Sequence, residues 1–344
     1  MLNTLNSNKV RILYIGNKLE KHGNNVTSID SLGKLLEAEG HHLTYASSAK
    51  NKMVRLLDMI VTTIKSARKT DVVLIDTYST ANFYYALIIS QLCRIFNLKY
   101  IPLLHGGDLP NRLKNTPKLS RLLFKNAWIN VSPSRYLQTE FESAGFHKIK
   151  YIPNSIEIQN YKFKSRNTQN CRLLWVRSLA EIYNPKMAIN VLHQLKTECP
   201  HATLCMIGPD KENLLPSLKT LAAELGVEVT FTGVLTKSDW IKRSEQSDIF
   251  INTTHYDNLP VSVIEAMALG LPVVSTNVGG LKVLLRNREN ALVVDDNDHL
   301  AMANAISELA KNQNLATELS QRGRLDAEQF DWVNIKPKWA EILI

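Results

Sequence analysis

The sequence predicts an α/β protein built as two Rossmann-like domains, each with a parallel sheet, facing across a cleft. Strand-like and helix-like runs alternate along the chain, and the alternation lapses once, near the middle. A length of 344 residues with 44% hydrophobic side chains suits two domains of ordinary size, each with its own core. In open parallel sheets ligands bind beyond the carboxyl ends of the strands, so the site is expected in a cleft between the two sets of ends.

The elements follow in order. In the first domain, residues 1–160, VRILYIG (10–16) is a buried strand and SIDSLGKLLEAEG (28–40) a helix closed by Gly40. In NKMVRLLDMIVTTIKSARKT (50–69), Val54, Leu57, Ile60, Val61 and Ile64 recur at helical spacing among Lys50, Lys52, Arg55, Lys65, Arg68 and Lys69. This amphipathic basic helix is either an ordinary surface helix with a solvated charged face or a peripheral membrane contact. VVLIDT (72–77), a helix over 80–96 and KYIPLLHGGD (99–108) continue the pattern, and AWINVSP (127–133) and KIKYIPNS (148–155) are short strands with a helix between them. IEIQNYKFKSRNTQN (156–170) is polar and aperiodic and reads as the linker. The second domain, residues 171–329, carries strands in CRLLWVRSL (171–179), ATLCMIGPD (202–210), VEVTFTGV (227–234), DIFINTT (248–254) and ALVVDD (291–296). The terminal piece 330–344 places Trp332, Ile335 and Trp339 at helical spacing and is expected to return to the first domain.

The stretch HYDNLPVSVIEAMALGLPVVSTNVGG (255–280) holds the strongest functional signal. Asn258-Leu259-Pro260 reads as a helix entry, Gly270 as its end, Val273–Thr276 as a strand and Asn277 to Gly280 as a turn. Glu265 falls four residues after Val261 on the largely apolar side of that helix. A carboxylate buried there without donors would cost several kcal/mol, so it needs a neighbouring backbone or basic side chain, or a ligand. Asp257 lies at the mouth of the same helix, where free amides of Leu259, Val261 and Ser262 make an anion site. One helix start can thus hold a diphosphate while Glu265 accepts from sugar hydroxyls.

A formal charge of +9 and a pI near 9.2 point to a polyanion: nucleic acid, an anionic membrane surface or phosphorylated small molecules. No nucleic-acid fold signature or aromatic ladder accompanies the charge, which leaves the last two. The best apolar run, YYALIISQLCRIF (84–96), is shorter than the roughly 20 residues of a membrane span and is broken by Gln91 and Arg94. The N-terminus has no apolar signal core, so a cytoplasmic protein is expected, at the inner face of the membrane if the basic helix is a membrane contact. Cys93, Cys171, Cys199 and Cys205 show no close metal-ligand pairing and read as reduced thiols.

These residues resemble glycosyltransferase family 4, retaining sugar transferases with the GT-B fold. The family signature of two acids eight positions apart running into EAMA-x-G-x-P-V-V stands here as Asp257-NLPVSVI-Glu265 followed by AMALGLPVVSTNVGG. TFTGV (230–234), SDIFINTT (247–254), NALVVDD (290–296) and NVSPSRYLQTEFESAGFHKIKYIPNSIE (130–157) fall in the family's order. The chain departs from the pattern in three places. Asp257 replaces a glutamate, one methylene shorter. In WVRSLAEIYNPKMAIN, Arg177 stands at the family's glycine position, Ser178 at its arginine and Lys186 at its lysine. Val283 stands where a glutamate often follows the Gly-Gly turn.

The resemblance implies a nucleotide-sugar donor and a glycan or lipid-linked acceptor. It also implies metal-independent transfer, and the sequence lacks an Asp-x-Asp motif. Arg177 and Lys186 would stabilise the departing diphosphate, together with the helix start from Asn258 through Pro260 to Ser262. Glu265 would take the ribose hydroxyls, Asp257 the donor sugar, and Gly233 in TFTGV would line the donor side. His105, at the end of a strand in HGGDLP, would donate to the donor sugar or the leaving phosphate, with Gly106 and Gly107 allowing close approach of the backbone. Gly23 and Asn24 in KHGNNVTS would form the acceptor-side loop. Retention is then front-face attack assisted by the leaving phosphate. Two other readings compete: a GT-B sugar-nucleotide epimerase or phosphorylase, and a non-catalytic sugar-nucleotide-binding protein.

Overall fold

The computed structural model describes residues 9–18 and 27–343. The chain divides into two compact units, one formed by Met1–Pro153 with Trp332–Ile344 and the other by Asn154–Asp331.

In the first unit β1 (Arg11–Ile15), α1 (Ser28–Ala38), β2 (His42–Ala46), α2 (Lys52–Ser66), β3 (Val72–Thr77), α3 (Asn82–Ile95) and β4 (Lys99–Leu104) follow one another. Then come α4 (Leu109–Asn115), α5 (Pro117–Phe124), β5 (Asn130–Ser132), α6 (Arg135–Ser143) and β6 (Ile149–Tyr151). The strands form a parallel sheet in the order β2-β1-β3-β4-β5-β6. Alternate side chains build the two faces. Leu13, Ile15, Val73 and Ile75 pack with Met59, Phe83, Phe124 and Phe141 on one side. On the other, Ile12, Tyr14, Val72 and Leu74 pack with Ile29 and Leu36 of α1 and with Trp332, Ile335 and Trp339. Those last three lie in the terminal helix, Trp332–Ala340, which belongs to this unit.

The basic helix departs from expectation. Its inward positions in α2 are Arg55, Met59 and Thr63, while Met53, Val54, Leu57, Val61 and Ile64 face solvent. The solvated face of this helix is therefore apolar, and Arg55 is not part of a charged surface. The reason is the loop before the helix: the Arg55 guanidinium donates to the carbonyls of Ala49 (2.8 Å) and Lys50 (3.0 Å) and to Asn17 Oδ1 (3.0 Å). That anchoring turns the apolar stripe outward.

The second unit runs β7 (Arg172–Val176), α7 (Pro185–Leu195), β8 (Thr203–Ile207), α8 (Leu215–Glu224), β9 (Val229–Gly233), α9 (Lys237–Ser244) and β10 (Ile249–Asn252). It continues with α10 (Val261–Ala268), β11 (Val273–Thr276), α11 (Leu281–Leu284), β12 (Leu292–Val294), α12 (His299–Lys311) and α13 (Gln313–Glu328). Its sheet is also parallel, in the order β12-β11-β10-β7-β8-β9. Residues 156–170 are embedded in this unit rather than strung between domains. Tyr161 and Thr168 are buried, and the Arg166 guanidinium donates to the carbonyls of Ser244 (2.9 Å) and Leu269 (3.0 Å). Their polarity serves backbone ties, not solvation.

Each sheet has one point where the chain reverses its direction of strand addition, between β1 and β3 in the first and between β7 and β10 in the second. In open parallel sheets such a switch point is where the carboxyl ends of the strands can hold a ligand.

Candidate functional sites at the two switch points

In the second unit Arg177 follows β7 directly and its amide donates to Ile207 O at 3.0 Å. Gly208, with φ +147, makes that approach feasible, since a Cβ would overlap the Arg177 carbonyl. The guanidinium forms an ion pair with Asp257 through Nη2 and lies 5.1 Å over the Tyr183 ring. Its Nε is buried and has no partner among the described residues. Asp257 Oδ1 accepts from the amide of Asn258 at 2.8 Å, and the Asp257 carbonyl accepts from Gly280 N at 2.9 Å. A Cβ on Gly280 would overlap the Asn258 carbonyl. The Gly-Gly turn is thus the bed on which Asp257 and Asn258 rest.

Helix α10 begins two residues later than the sequence suggests: Pro260 is its cap, and Asn258 lies buried two residues before it. The amides of Leu259, Val261 and Ser262 donate to no acceptor among the described residues, and the buried Ser262 hydroxyl has no partner there either. Such a helix start is an anion site. The helix is buried on every side from Ser262 to Ala268, packed against α13, and Gly270 (φ +77) ends it.

Glu265, 3% exposed, takes both its hydrogen bonds on Oε1, one from the Tyr161 hydroxyl at 2.6 Å and one from the Lys237 ammonium. Burial first, and the Glu265 charge second, hold the Tyr161 hydroxyl well above the usual tyrosine range, so it remains a donor. Tyr161 and Lys237 were not singled out by sequence; the only signal for them was the demand a buried carboxylate makes. Lys186 is half-exposed and pairs with Glu181 at 3.0 Å rather than with Asp257. Gly233 (φ +69) ends the edge strand β9, and its carbonyl accepts from Gly208 N at 2.9 Å.

In the first unit His105 follows β4, with its amide on the Thr77 carbonyl at 3.0 Å. Its Nε2 lies 3.0 Å from Asp76 Oδ1, and the Tyr14 hydroxyl donates to the same oxygen at 3.1 Å. Asp76 Oδ2 is buried without a partner among the described residues, and a Cβ on Gly16 would lie 2.5 Å from it. Burial, then the Asp76 charge, push the Tyr14 hydroxyl well above its usual range. Asp76, Tyr14 and Gly16 were also missed, although an acid inside the buried run VVLIDT obeys the same logic that singled out Glu265. A Cβ on Gly106 would lie 2.5 Å from Ser79 N, so that glycine admits the protein's own backbone. Gly107 lies in the turn into α4. Gly23 and Asn24 fall outside the described residues.

Residues 157–326 match the family glycosyl transferases group 1. The chain is 29% identical over 232 residues to an uncharacterised glycosyltransferase of Haemophilus influenzae, a match covering 66% of this chain and 65% of that protein. It is 26% identical over 294 residues to the amylovoran biosynthesis glycosyltransferase AmsK of Erwinia amylovora, covering 79% and 70%. Among solved structures it is similar to Anabaena Alr3699/HepE in complex with UDP-glucose, with a TM-score of 0.79, 20% identity, and 97% and 99% coverage. The sucrose-phosphate synthase of Thermosynechococcus elongatus gives a TM-score of 0.81 at 16% identity, covering 97% and 98%. At these identities the structural likeness establishes the fold, which is GT-B.

Proposed function

We propose that this chain, whose residues 157–326 belong to the glycosyl transferases group 1 family, moves a hexosyl group from a nucleotide sugar to a glycan or lipid-linked acceptor, with retention and without a metal ion. The observation that carries the proposal is the second switch point, where a part-buried arginine after β7 and, after the neighbouring strand β10, an unsatisfied helix start and a buried glutamate with one uncommitted oxygen fall in one unit.

Breaking the anomeric C–O bond moves negative charge onto the departing diphosphate. Fixed donors aimed at that charge lower the barrier because they need no reorganisation as it develops. The amides of Leu259, Val261 and Ser262 supply such donors, and Arg177, oriented by Asp257 and by the Tyr183 ring, supplies a cation. Glu265 accepts from ribose hydroxyls through the oxygen that Tyr161 and Lys237 leave open, and Asp257 reaches the donor sugar. His105 donates to the sugar or the leaving phosphate. The acceptor hydroxyl attacks from the leaving-group face and passes its proton to the departing phosphate.

The test is a panel of labelled nucleotide sugars, beginning with UDP-glucose, assayed with and without glycan and lipid-linked acceptors in excess EDTA. Free nucleotide released only with acceptor, and a product keeping the donor's anomeric configuration, is the expected result. Sugar isomerised without acceptor would make the protein an epimerase, and tight binding with no turnover across the panel would make it a binding protein. Activity lost to EDTA and restored by magnesium or manganese would overturn the metal-independent part.

A further inference from the structure

We infer that the outer face of α2 and α3 is a docking surface for an anionic lipid bilayer. In an ordinary surface helix the apolar stripe faces the core. In α2 it faces the other way: Met53, Leu57, Val61 and Ile64 are 69%, 58%, 43% and 48% exposed, at spacings of four, four and three that keep them on one side. Helix α3 packs beside α2, with the Tyr85 hydroxyl donating to the Lys52 carbonyl at 3.1 Å, and presents Ile88 and Ile95 outward. Large apolar side chains gathered on the exposed side of a helix in this way mark a contact with something else.

The charge distribution identifies the partner. Residues 50–125 hold thirteen Lys and Arg against four Asp and no Glu, while the rest of the chain holds twenty-eight of each sign. The whole net charge of +9 therefore falls in a stretch that includes both helices of this face, and seven of its thirteen cations lie within residues 50–95. Lys50, Lys52, Lys65, Arg68 and Lys69 flank the stripe, all exposed, and α2 itself contains one acid, Asp58. An apolar stripe rimmed by cations matches the boundary of a bilayer: aliphatic side chains enter the acyl edge while ammonium and guanidinium groups reach anionic headgroups. A second copy of the chain would set these cations against each other, and a nucleic acid would leave the aliphatic residues without a partner.

The inference does not depend on the transfer reaction, because its readout is lipid binding by the full chain. Sedimentation would be measured with vesicles of phosphatidylcholine alone and of phosphatidylcholine mixed with phosphatidylglycerol, across a salt series. The wild type should pellet with the anionic vesicles, and added salt should reduce binding without abolishing it, since the aliphatic part is not screened. The triple substitution Leu57→Gln, Val61→Gln and Ile64→Gln should lower the partition coefficient by at least about tenfold, leaving circular dichroism unchanged because these side chains are outside the core. Changing Lys50, Lys52, Lys65 and Arg68 to Gln should remove the salt dependence. No pelleting with anionic vesicles, or equal pelleting of wild type and triple variant, would overturn the inference. So would a concentration-dependent dimer that the triple substitution disperses in a protein that ignores lipid.

Discussion

Asp76 in the first unit and Glu265 in the second are built alike up to one atom. Each is a buried carboxylate that takes a tyrosine hydroxyl and a basic side chain on a single oxygen: Tyr14 and His105 on Asp76 Oδ1, Tyr161 and Lys237 on Glu265 Oε1. They differ at the second oxygen. Asp76 Oδ2 is sealed against Gly16, with no room even for a methyl group. Glu265 Oε2 has no donor among the described residues but is not sealed in the same way. A carboxylate closed on all sides can act only through the groups it holds, whereas one with an open oxygen can accept from a ligand. Burial and partner count alone would have given both residues the same role.

The largest expected effect lies at the ion pair of Arg177 with Asp257. Arg177→Ala should lower turnover on the order of 100-fold, more than it weakens donor binding, because charge on the leaving phosphate grows toward the transition state. Lys186→Ala should change turnover little, since an exposed pair such as Lys186 with Glu181 contributes about 0 to 1 kcal/mol. Steady-state kinetics on both variants decide this. Equal losses would mean that Lys186 leaves Glu181 in the donor complex and shares the phosphate.

The comparison itself is sharpened by neutralising each carboxylate in its own shape. Glu265→Gln should weaken nucleotide diphosphate binding by roughly 1.5 to 3 kcal/mol, the range for a hydrogen bond to a charged group. Asp76→Asn should leave that affinity unchanged in calorimetry and lower turnover about tenfold, matching about 1.4 kcal/mol of lost support to His105. His105→Ala should cost about as much as Asp76→Asn, and the double variant no more than either, because one residue acts through the other. Additive losses would show that Asp76 has its own contact with the reacting groups.

How much of this was legible depends on how local the cause is. The alternation of elements is local, and the sheets follow it. β2 was missed because HLTYA has no apolar run and lies half-exposed at the sheet edge. The burial of Glu265 was legible from helical periodicity, but its partners lie 104 and 28 positions away, and nothing in the sequence ties them to it. The segment 156–170 was misread for the same reason: polarity looks like solvation until the distant carbonyls that Arg166 binds are known. In α2 the spacing was right and the direction was not, because Arg55 and the loop carbonyls, rather than the apolar residues, decide which side faces in.

The last expected effect is on stability rather than turnover, and it separates the two tyrosines from the carboxylates they serve. Burial and the neighbouring acid raise the hydroxyls of Tyr161 and Tyr14 above the usual value near 10. Below about pH 10 the tyrosine is protonated both folded and unfolded, and the stability it contributes is fully present. Above that, the unfolded tyrosine ionises while the folded one keeps its proton, so stability falls as pH rises. Tyr161→Phe gives up the hydrogen bond to Glu265 at neutral pH, a loss of about 1.5 to 3 kcal/mol, but it also removes one source of the alkaline fall. Urea midpoints of wild type and Tyr161→Phe should therefore draw together from about pH 10 upward. Tyr14→Phe should behave in the same way for the first unit. The other tyrosines raised by burial are common to every protein compared and cancel. Curves that stay parallel through pH 11 would mean that Tyr161 ionises in the folded protein as readily as in the unfolded chain, and its bond to Glu265 would then contribute less than the geometry requires.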